Sequence, residues 1–335
     1  MTWWGKLRVK MDSSSAILDK YKEHLTRINK ELKEALSSRV ALVEDIGNHT
    51  LLGHGKRLRP LFFLLSCQLC DYQGKDAYRL STIFEYLHAA SLLHDDVVDN
   101  AENRRNRPSA NHVWGNHAAV LEGDFLYSNA SLIAVGSNNL LFLKRLTETA
   151  KQMAEGQIVE LVHTDDWETS REEYMEIITA KTAVLMSAAC ACGAIITGAE
   201  KNAEQSLGKF GLNMGMAFQL MDDLLDYTSS EDVFGKPVGK DLKEGKITLP
   251  LIYTLPKIEA TERNRLENLF KNHQAIEEDC RQLIGLVRSK GALDQIKDEA
   301  RSYVDRAAGC LGRFPDSPAK RGLLELNRFI VERKY

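Results

Sequence analysis

Asp95-Asp96-Val97-Val98-Asp99 and Asp222-Asp223-Leu224-Leu225-Asp226 each pack three carboxylates into five residues of apolar, helix-patterned sequence. On an α-helix the side chains at i and i+4, or i+1 and i+4, share a face, so each pentad is expected to present a tight group of oxygens. Like charges that close repel, and Leu92, Leu93, Leu220 and Met221 embed them in surroundings where unpaired carboxylates are costly. A solvated acidic face would explain one such pentad alone; two in apolar sequence favour a compensating cation. Mg²⁺ is the natural choice, because it accepts a few carboxylates, keeps waters and shares its remaining positions with phosphate oxygens. Two pentads therefore point to a metal-filled gap between two helices.

The basic residues fit a polyanion held in that gap. Gly53-His54-Gly55-Lys56-Arg57-Leu58-Arg59-Pro60 sets three cations before a helix whose first turn accepts Pro60. Lys56 and Arg59 could grip a diphosphate, one as a point charge and one by its planar fork, or belong to a solvated basic loop. Arg104-Arg105-Asn106-Arg107 begins five residues after Asp99. These arginines either pair with the pentad or hold the far oxygens of a phosphate whose near oxygens bind metal. Lys181-Thr182 interrupts a small-residue apolar helix, and Lys236, Lys240 and Lys246 follow the second pentad on a glycine-punctuated loop. Half-buried lysines near acids usually have a paired anion, and one polyanionic ligand accounts for all of them. His88 shares its stripe with Ser91, Asp95 and Asp99, which favours ligand contact over a plain core role. His94-Asp95 resembles the metal pair of HD-type phosphohydrolases, but the separated histidines and later aspartate of that family cannot be placed.

The elements that must position these groups are helices. Apolar residues recur at three- and four-residue spacing, and no proline occurs from Ser109 to Lys236. Ser13 to Ser15 offer caps for a first helix through Ile17, Tyr21, Leu25, Ile28 and Leu32. Turn signals fall at 53–55, 71–74, 100–108, 136–139, 164–170, 198–203, 228–246 and 314–318. Strand-like alternation is almost absent, and no linker or fixed-period repeat divides the chain. A single large all-α bundle is expected.

The 335 residues, 44% hydrophobic, suffice for a packed core, and a net charge of −3 without a basic stripe argues against a nucleic-acid partner. Six thinly spread cysteines suit reduced thiols in a cytoplasmic protein, and Cys67-Gln68-Leu69-Cys70 reads as core packing because no second pair stands at zinc spacing. No uninterrupted apolar run reaches the roughly 18 residues of a bilayer span. The first eleven residues lack the features of a signal peptide and are expected to be disordered.

Together the runs 53–60, 88–99, Arg104-Arg105, Gly123-Asp124, Lys181-Thr182, Phe218 to Asp223 and Gly235 to Asp241 resemble the trans-isoprenyl diphosphate synthases, or polyprenyl synthetases. The resemblance covers roughly residues 12 to 335, in the family's order. It implies a homodimeric helical bundle that condenses isopentenyl diphosphate head-to-tail onto an allylic diphosphate. By that resemblance Asp95, Asp96, Asp99, Asp222, Asp223 and Asp226 would carry Mg²⁺, three ions with substrate bound. Arg104, Lys181, Thr182, Gln219 and Lys236 would hold the allylic diphosphate, and Lys56, Arg59, His88 and Arg105 the isopentenyl one, with Lys246 a further substrate-binding residue. Ionisation, alkene attack and proton loss need no protein nucleophile, in keeping with the lack of a Ser/His or Cys/His constellation. The family's Gly-Gly-Lys reads Gly53-His54-Gly55-Lys56 and its Arg-Arg-Gly-Lys-Pro reads Arg104-Arg105-Asn106-Arg107-Pro108; the cations survive both changes. A basic Arg333-Lys334 tail either closes over the site or frays.

A growing chain would run from the first pentad down between helices. Ala90 and Ser91 leave the upper channel open, as in medium- and long-chain members, with Leu87 and Phe84 farther along the stripe. Phe84 lies roughly 16 Å from Asp95 at about 1.5 Å per residue, and Phe125, Asn129, Leu132 and Ile133 are candidates for a floor. The expectation is an all-trans product of six to ten isoprene units, octaprenyl favoured, with farnesyl or geranylgeranyl synthesis as the alternative. Transient membrane contact at product release is a further expectation. A class I terpene cyclase would carry a different second metal motif and has no use for Lys56, Arg59 and His88. A non-catalytic subunit would tend to lose the pentads, and a structural bundle would not need so many charges at one cavity.

Overall fold

The computed structural model describes residues 17–52, 55–104, 107–228 and 239–332. The expected caps at Ser13 to Ser15, and Arg105, Lys236 and Arg333-Lys334, lie outside them. The chain is all-α: α1 (Lys22–Ala35), α2 (Ala41–Leu51), α3 (Leu58–Leu69), α4 (Ala77–Val98), α5 (Asn116–Gly136) and α6 (Leu140–Val162) come first. Next come α7 (Arg171–Ile178), a π turn (Thr179–Ala183), α8 (Val184–Thr197) and α9 (Lys201–Thr228). Four more helices, α10 (Ala260–Lys271), α11 (Glu277–Ser289), α12 (Ala292–Cys310) and α13 (Pro318–Glu332), complete the bundle. The extended structure among the described residues is a two-stranded antiparallel hairpin pairing Asn103 with Pro108 and Arg104 with Arg107.

Helix faces explain the layering. α1 and α13 bury one stripe each, Ile28 and Leu32 in the first and Leu323, Leu326 and Ile330 in the second. α8 reads Val-Leu-Met-Ser-Ala-Ala-Cys-Ala-Cys-Gly-Ala-Ile-Ile-Thr and is buried nearly all round. Its small residues let backbones approach closely: a Cβ on Gly211 of α9 would lie 2.4 Å from the Met186 carbonyl oxygen, and one on Gly193 2.5 Å from Ser66 Cβ. One apolar cluster joins α3, α8, α9, α12 and α13, a second joins α1 through α6 with α8, and a third packs Trp167 and Tyr227 against α10 and α11.

One expectation changes here. The continuous helix Arg171–Thr197 is long and apolar enough to cross a membrane, with mean hydropathy 1.6 over its best window. That window is 78% buried inside the bundle, so its apolarity belongs to the core. The cysteines are free thiols, and burial pushes Cys67 well up and Cys70 to about 11, which suits packing rather than redox chemistry.

Glu122 of α5 is a buried acid remote from the pentads in sequence. Neither carboxylate oxygen has a partner among the described residues, and burial pushes its pKa from 4.5 to about 7. An acid whose folded pKa lies above its unfolded one stabilises the fold below pH 4.5 relative to higher pH, and that advantage is lost as pH rises through 7. Glu122→Gln should therefore flatten the pH dependence between those values and raise stability at pH 8 by about 2–3 kcal/mol. Urea unfolding at pH 5 and 8 checks this; an unaltered pH slope contradicts it.

An exposed apolar stripe runs along α5 and α6. Leu121, Leu132, Val135, Leu141, Ile158 and Leu161 are all more than half exposed. Leu132, expected on the channel floor, therefore faces outward. The helical period turns it away from Ile133, which is buried.

Candidate active site

Both pentads line one cavity of about 520 Å³ at the meeting of α3, α4, α8 and α9, with the segment 240–246 along one side. Asp95, Asp99 and Asp222 face it, together with Lys56, Arg59, His88, Ser91, Arg104, Lys181, Thr182, Gln219 and Lys246. The described cations and carboxylates expected from the sequence are thus brought together, except for three aspartates that turn elsewhere, while Arg105 and Lys236 lie outside the described residues.

Helical geometry explains two of them, Asp96 and Asp223, whereas Asp226, one turn past Asp222, is held away by backbone donors. Asp95 and Asp99 are one turn apart, whereas Asp96 lies about 100° round the helix and is clamped by Arg104, whose Nε donates to Oδ1 at 2.7 Å and Oδ2 at 2.8 Å. Asp223, one residue past Asp222, is likewise rotated inward. It accepts from Tyr174 Oη at 2.5 Å and from Gln219 Nε2 at 2.8 Å. Asp226 accepts from the backbone N–H groups of Lys240 and Asp241, each at 3.2 Å, and so fixes the start of the short helix Lys240–Lys243. The expectation that whole pentads present their oxygens is corrected accordingly: each divides between the cavity and its supporting wall. Among the described residues no three His, Cys, Asp or Glu side chains form a ready-made metal cage. The donors that do face the cavity are hard oxygens, which suit a divalent cation sharing its shell with a ligand's oxygens.

Lysines counterbalance those carboxylates. Lys181 Nζ bonds Glu160 and stands 3.7 Å from Asp95, while Lys246 Nζ reaches Asp99 at 2.8 Å and Glu244 at 2.7 Å. Burial pushes the Asp95 carboxyl above its ordinary value, with Lys181 opposing and Glu160 reinforcing the shift. Despite burial, Lys246 is held above the usual lysine range by Glu160, Glu244 and Asp99. Its charge is therefore secure.

The backbone places Lys181-Thr182 by a local irregularity. α7 starts at a capping box in which Ser170 and Glu173 exchange bonds, and it passes into the π turn that carries both residues. The neighbours of that turn are glycines: a Cβ on Gly156 would lie 2.5 Å from Ala180 Cβ, and one on Gly215 2.6 Å from Ala183 Cα. On the opposite side Arg57, in the left-handed region at φ 51°, anchors the loop bearing Lys56 and Arg59. Its guanidinium bonds Glu85 at 2.8 Å, Asn29 at 2.9 Å and the Leu51 carbonyl. Lys56 Nζ lies 5.7 Å over the Phe329 ring of α13.

Glu85, Glu160, Tyr174 and Glu244 also serve the site, and nothing in their spacing separates them from surface acids or core aromatics. Of the two small residues expected to open the upper channel, one reaches the cavity. Ser91 lines the cavity; Ala90 is buried in the core, and Phe84 packs 5.2 Å from the Phe63 ring. Leu87 instead borders a separate apolar groove with Ile83, Tyr127, Ala130 and Leu146. Of the other floor candidates, Asn129 donates to the Ala35 carbonyl at 2.6 Å.

Two acidic helix segments facing each other across a cation-rimmed cavity define a helical enzyme built to hold a polyanion beside an apolar interior. The polyprenyl synthetase family model matches residues 40–287, and the chain belongs to that family. It is an enzyme of the prenyltransferase class. An octaprenyl diphosphate synthase from Escherichia coli K12 is 34% identical over 315 residues, covering 93% of this chain and 96% of the relative. A geranylgeranyl diphosphate synthase from Saccharolobus solfataricus is 31% identical, covering 94% and 97%. A solved polyprenyl synthase from Caulobacter crescentus CB15, complexed with calcium and isoprenyl diphosphate, superposes with a TM-score of 0.91 at 34% identity, over 97% of this chain and 99% of that one.

Proposed function

We propose that the chain condenses isopentenyl diphosphate head-to-tail onto an allylic diphosphate and makes a long all-trans product of about six to ten isoprene units, octaprenyl favoured. The observation that carries the reading is the cavity itself: Asp95, Asp99 and Asp222 share it with six basic side chains named by the resemblance. Those three aspartates would hold Mg²⁺, which when bound neutralises the leaving diphosphate. Arg104, Lys181 and Lys246 add positive charge where the departing oxygen becomes anionic, with Thr182 and Gln219 as polar neighbours. Lys56, Arg59 and His88, on the other side, orient the second diphosphate so that its alkene meets the allylic carbon. The allylic carbon–oxygen bond breaks, the alkene's electron pair forms the new carbon–carbon bond, and a proton passes to the released pyrophosphate. Lys236 and Arg105, outside the described residues, are proposed as further diphosphate contacts.

Product length draws support from the small side chain of Ser91 at the cavity's edge and from octaprenyl-forming relatives; geranylgeranyl-forming relatives keep the shorter product as the alternative. Incubation with farnesyl and isopentenyl diphosphates and Mg²⁺ tests it: polyprenyl products of thirty carbons or more are expected, and products stopping at fifteen or twenty contradict it. Ser91→Phe, which places a ring one turn before Asp95, should shorten the product by several units in the same assay. An unchanged product places the channel elsewhere. The exposed stripe on α5 and α6 supports a homodimer, which sedimentation velocity would detect.

A further inference from the structure

A file of hydrogen bonds links the cavity to a buried tyrosine. Thr182 Oγ1 donates to Gln219 Oε1 at 2.9 Å, Gln219 Nε2 donates to Asp223 Oδ1 at 2.8 Å, and Tyr174 Oη donates to Asp223 Oδ2 at 2.5 Å. Thr182 and Gln219 line the large cavity; Tyr174 and Asp223 do not. They line a smaller cavity of about 130 Å³ behind it, and Lys181, Thr182, Gln219, Asp241 and Lys246 line both. Tyr174 and Asp223 are 3% and 2% exposed, so the far end of the file is buried.

The chemistry fixes an orientation. With both Asp223 oxygens accepting, Gln219 must turn its amide nitrogen toward the carboxylate and its oxygen toward Thr182. One Nε2 proton is used on Asp223, and the other remains for a ligand in the cavity that Gln219 lines. We propose that Tyr174 and Asp223 are a positioning pair that sets Gln219 and Thr182 for the allylic diphosphate, and that Asp223 is not a metal ligand. This rests on the diphosphate reading given above. The tyrosine sits four residues past the Ser170 cap and seven before Lys181, so the capping box and the π turn hold both ends of the arrangement.

Three variants separate this role from metal binding. Tyr174→Phe removes one donor and no bulk. Asp223→Asn keeps both contacts, because Oδ1 still accepts from Gln219 while Nδ2 donates to Tyr174 Oη; Asp223→Ala removes both. The measurements are calorimetric binding of unreactive farnesyl thiolodiphosphate at saturating Mg²⁺, KM and kcat for farnesyl diphosphate, half-saturating Mg²⁺, and Tm. Tyr174→Phe is expected to raise the analogue's Kd and the KM in parallel, by about three- to tenfold, with a smaller change in kcat. Asp223→Asn should bind the analogue markedly better than Asp223→Ala, with half-saturating Mg²⁺ within about threefold of the parent. A larger Mg²⁺ shift in Asp223→Asn, or Tyr174→Phe binding like the parent, overturns the proposal. If Tyr174→Phe fails to fold, the ranking of Asn against Ala decides in the same way. A parent chain that transfers no prenyl group would instead sink the functional reading, and the two failures are distinct.

Discussion

Asp222→Ala should lower kcat by about a hundred- to a thousandfold, the loss expected when one group aimed at developing charge is removed from an enclosed site. Asp222 is the one aspartate of its pentad that lines the cavity, so no neighbour on its own helix substitutes for it. Its removal also relieves the neighbouring Asp223 carboxyl, which burial pushes above its ordinary value and the charges of Asp222 and Asp226 push further. Single-turnover kinetics together with a thermal melt check this. Activity within tenfold of the parent, or a collapsed melt, contradicts the assignment.

The second large effect falls on stability. Arg57 and Glu85 have side chains only 4% and 8% exposed and meet at 2.8 Å, so Arg57→Ala leaves a buried carboxylate without its ion-pair partner. A loss of about 3–5 kcal/mol follows from breaking such a pair. Because Arg57 holds the loop to Asn29 and Leu51, a raised KM for isopentenyl diphosphate should accompany it through displacement of Lys56 and Arg59. Urea unfolding is the measurement. A double variant, Arg57→Met with Glu85→Leu, should recover much of the loss, because no charge is then stranded; a double variant no better than the single one argues that the pair is not the cause.

Much of the bundle was legible because helix signals are local. The breaks at Asp71, Gly136, Thr164, Gly198 and Phe314 all carry residues that end or bend helices, and the structure turns near each. The gathering of Lys56, His88, Arg104, Lys181 and Gln219 about the pentads was legible through family resemblance, since the cations lie on separate elements that no periodicity links. The division within the pentads was not. Asp95 and Asp96 are the same residue type side by side, and which of the two faces the cavity depends on how α4 is rotated in the bundle and on where Arg104 stands, neither of which the pentad itself records. Arg57 illustrates the same limit: three cations within four residues look alike in sequence, yet Arg57, with its left-handed backbone, is the one whose guanidinium is committed to Glu85, Asn29 and the Leu51 carbonyl at the cavity wall. The π turn is invisible to a 3.6-residue pattern, as it shifts the register by a single residue.

The most direct test is a crystal structure of the chain with Mn²⁺ and unreactive farnesyl thiolodiphosphate, with metal positions taken from anomalous scattering. The expected result is ions bound between the diphosphate and Asp95, Asp99 and Asp222, with Asp96 still on Arg104 and Asp223 still on Tyr174. Diphosphate bound outside this cavity, or metal peaks absent from all three aspartates, would contradict it.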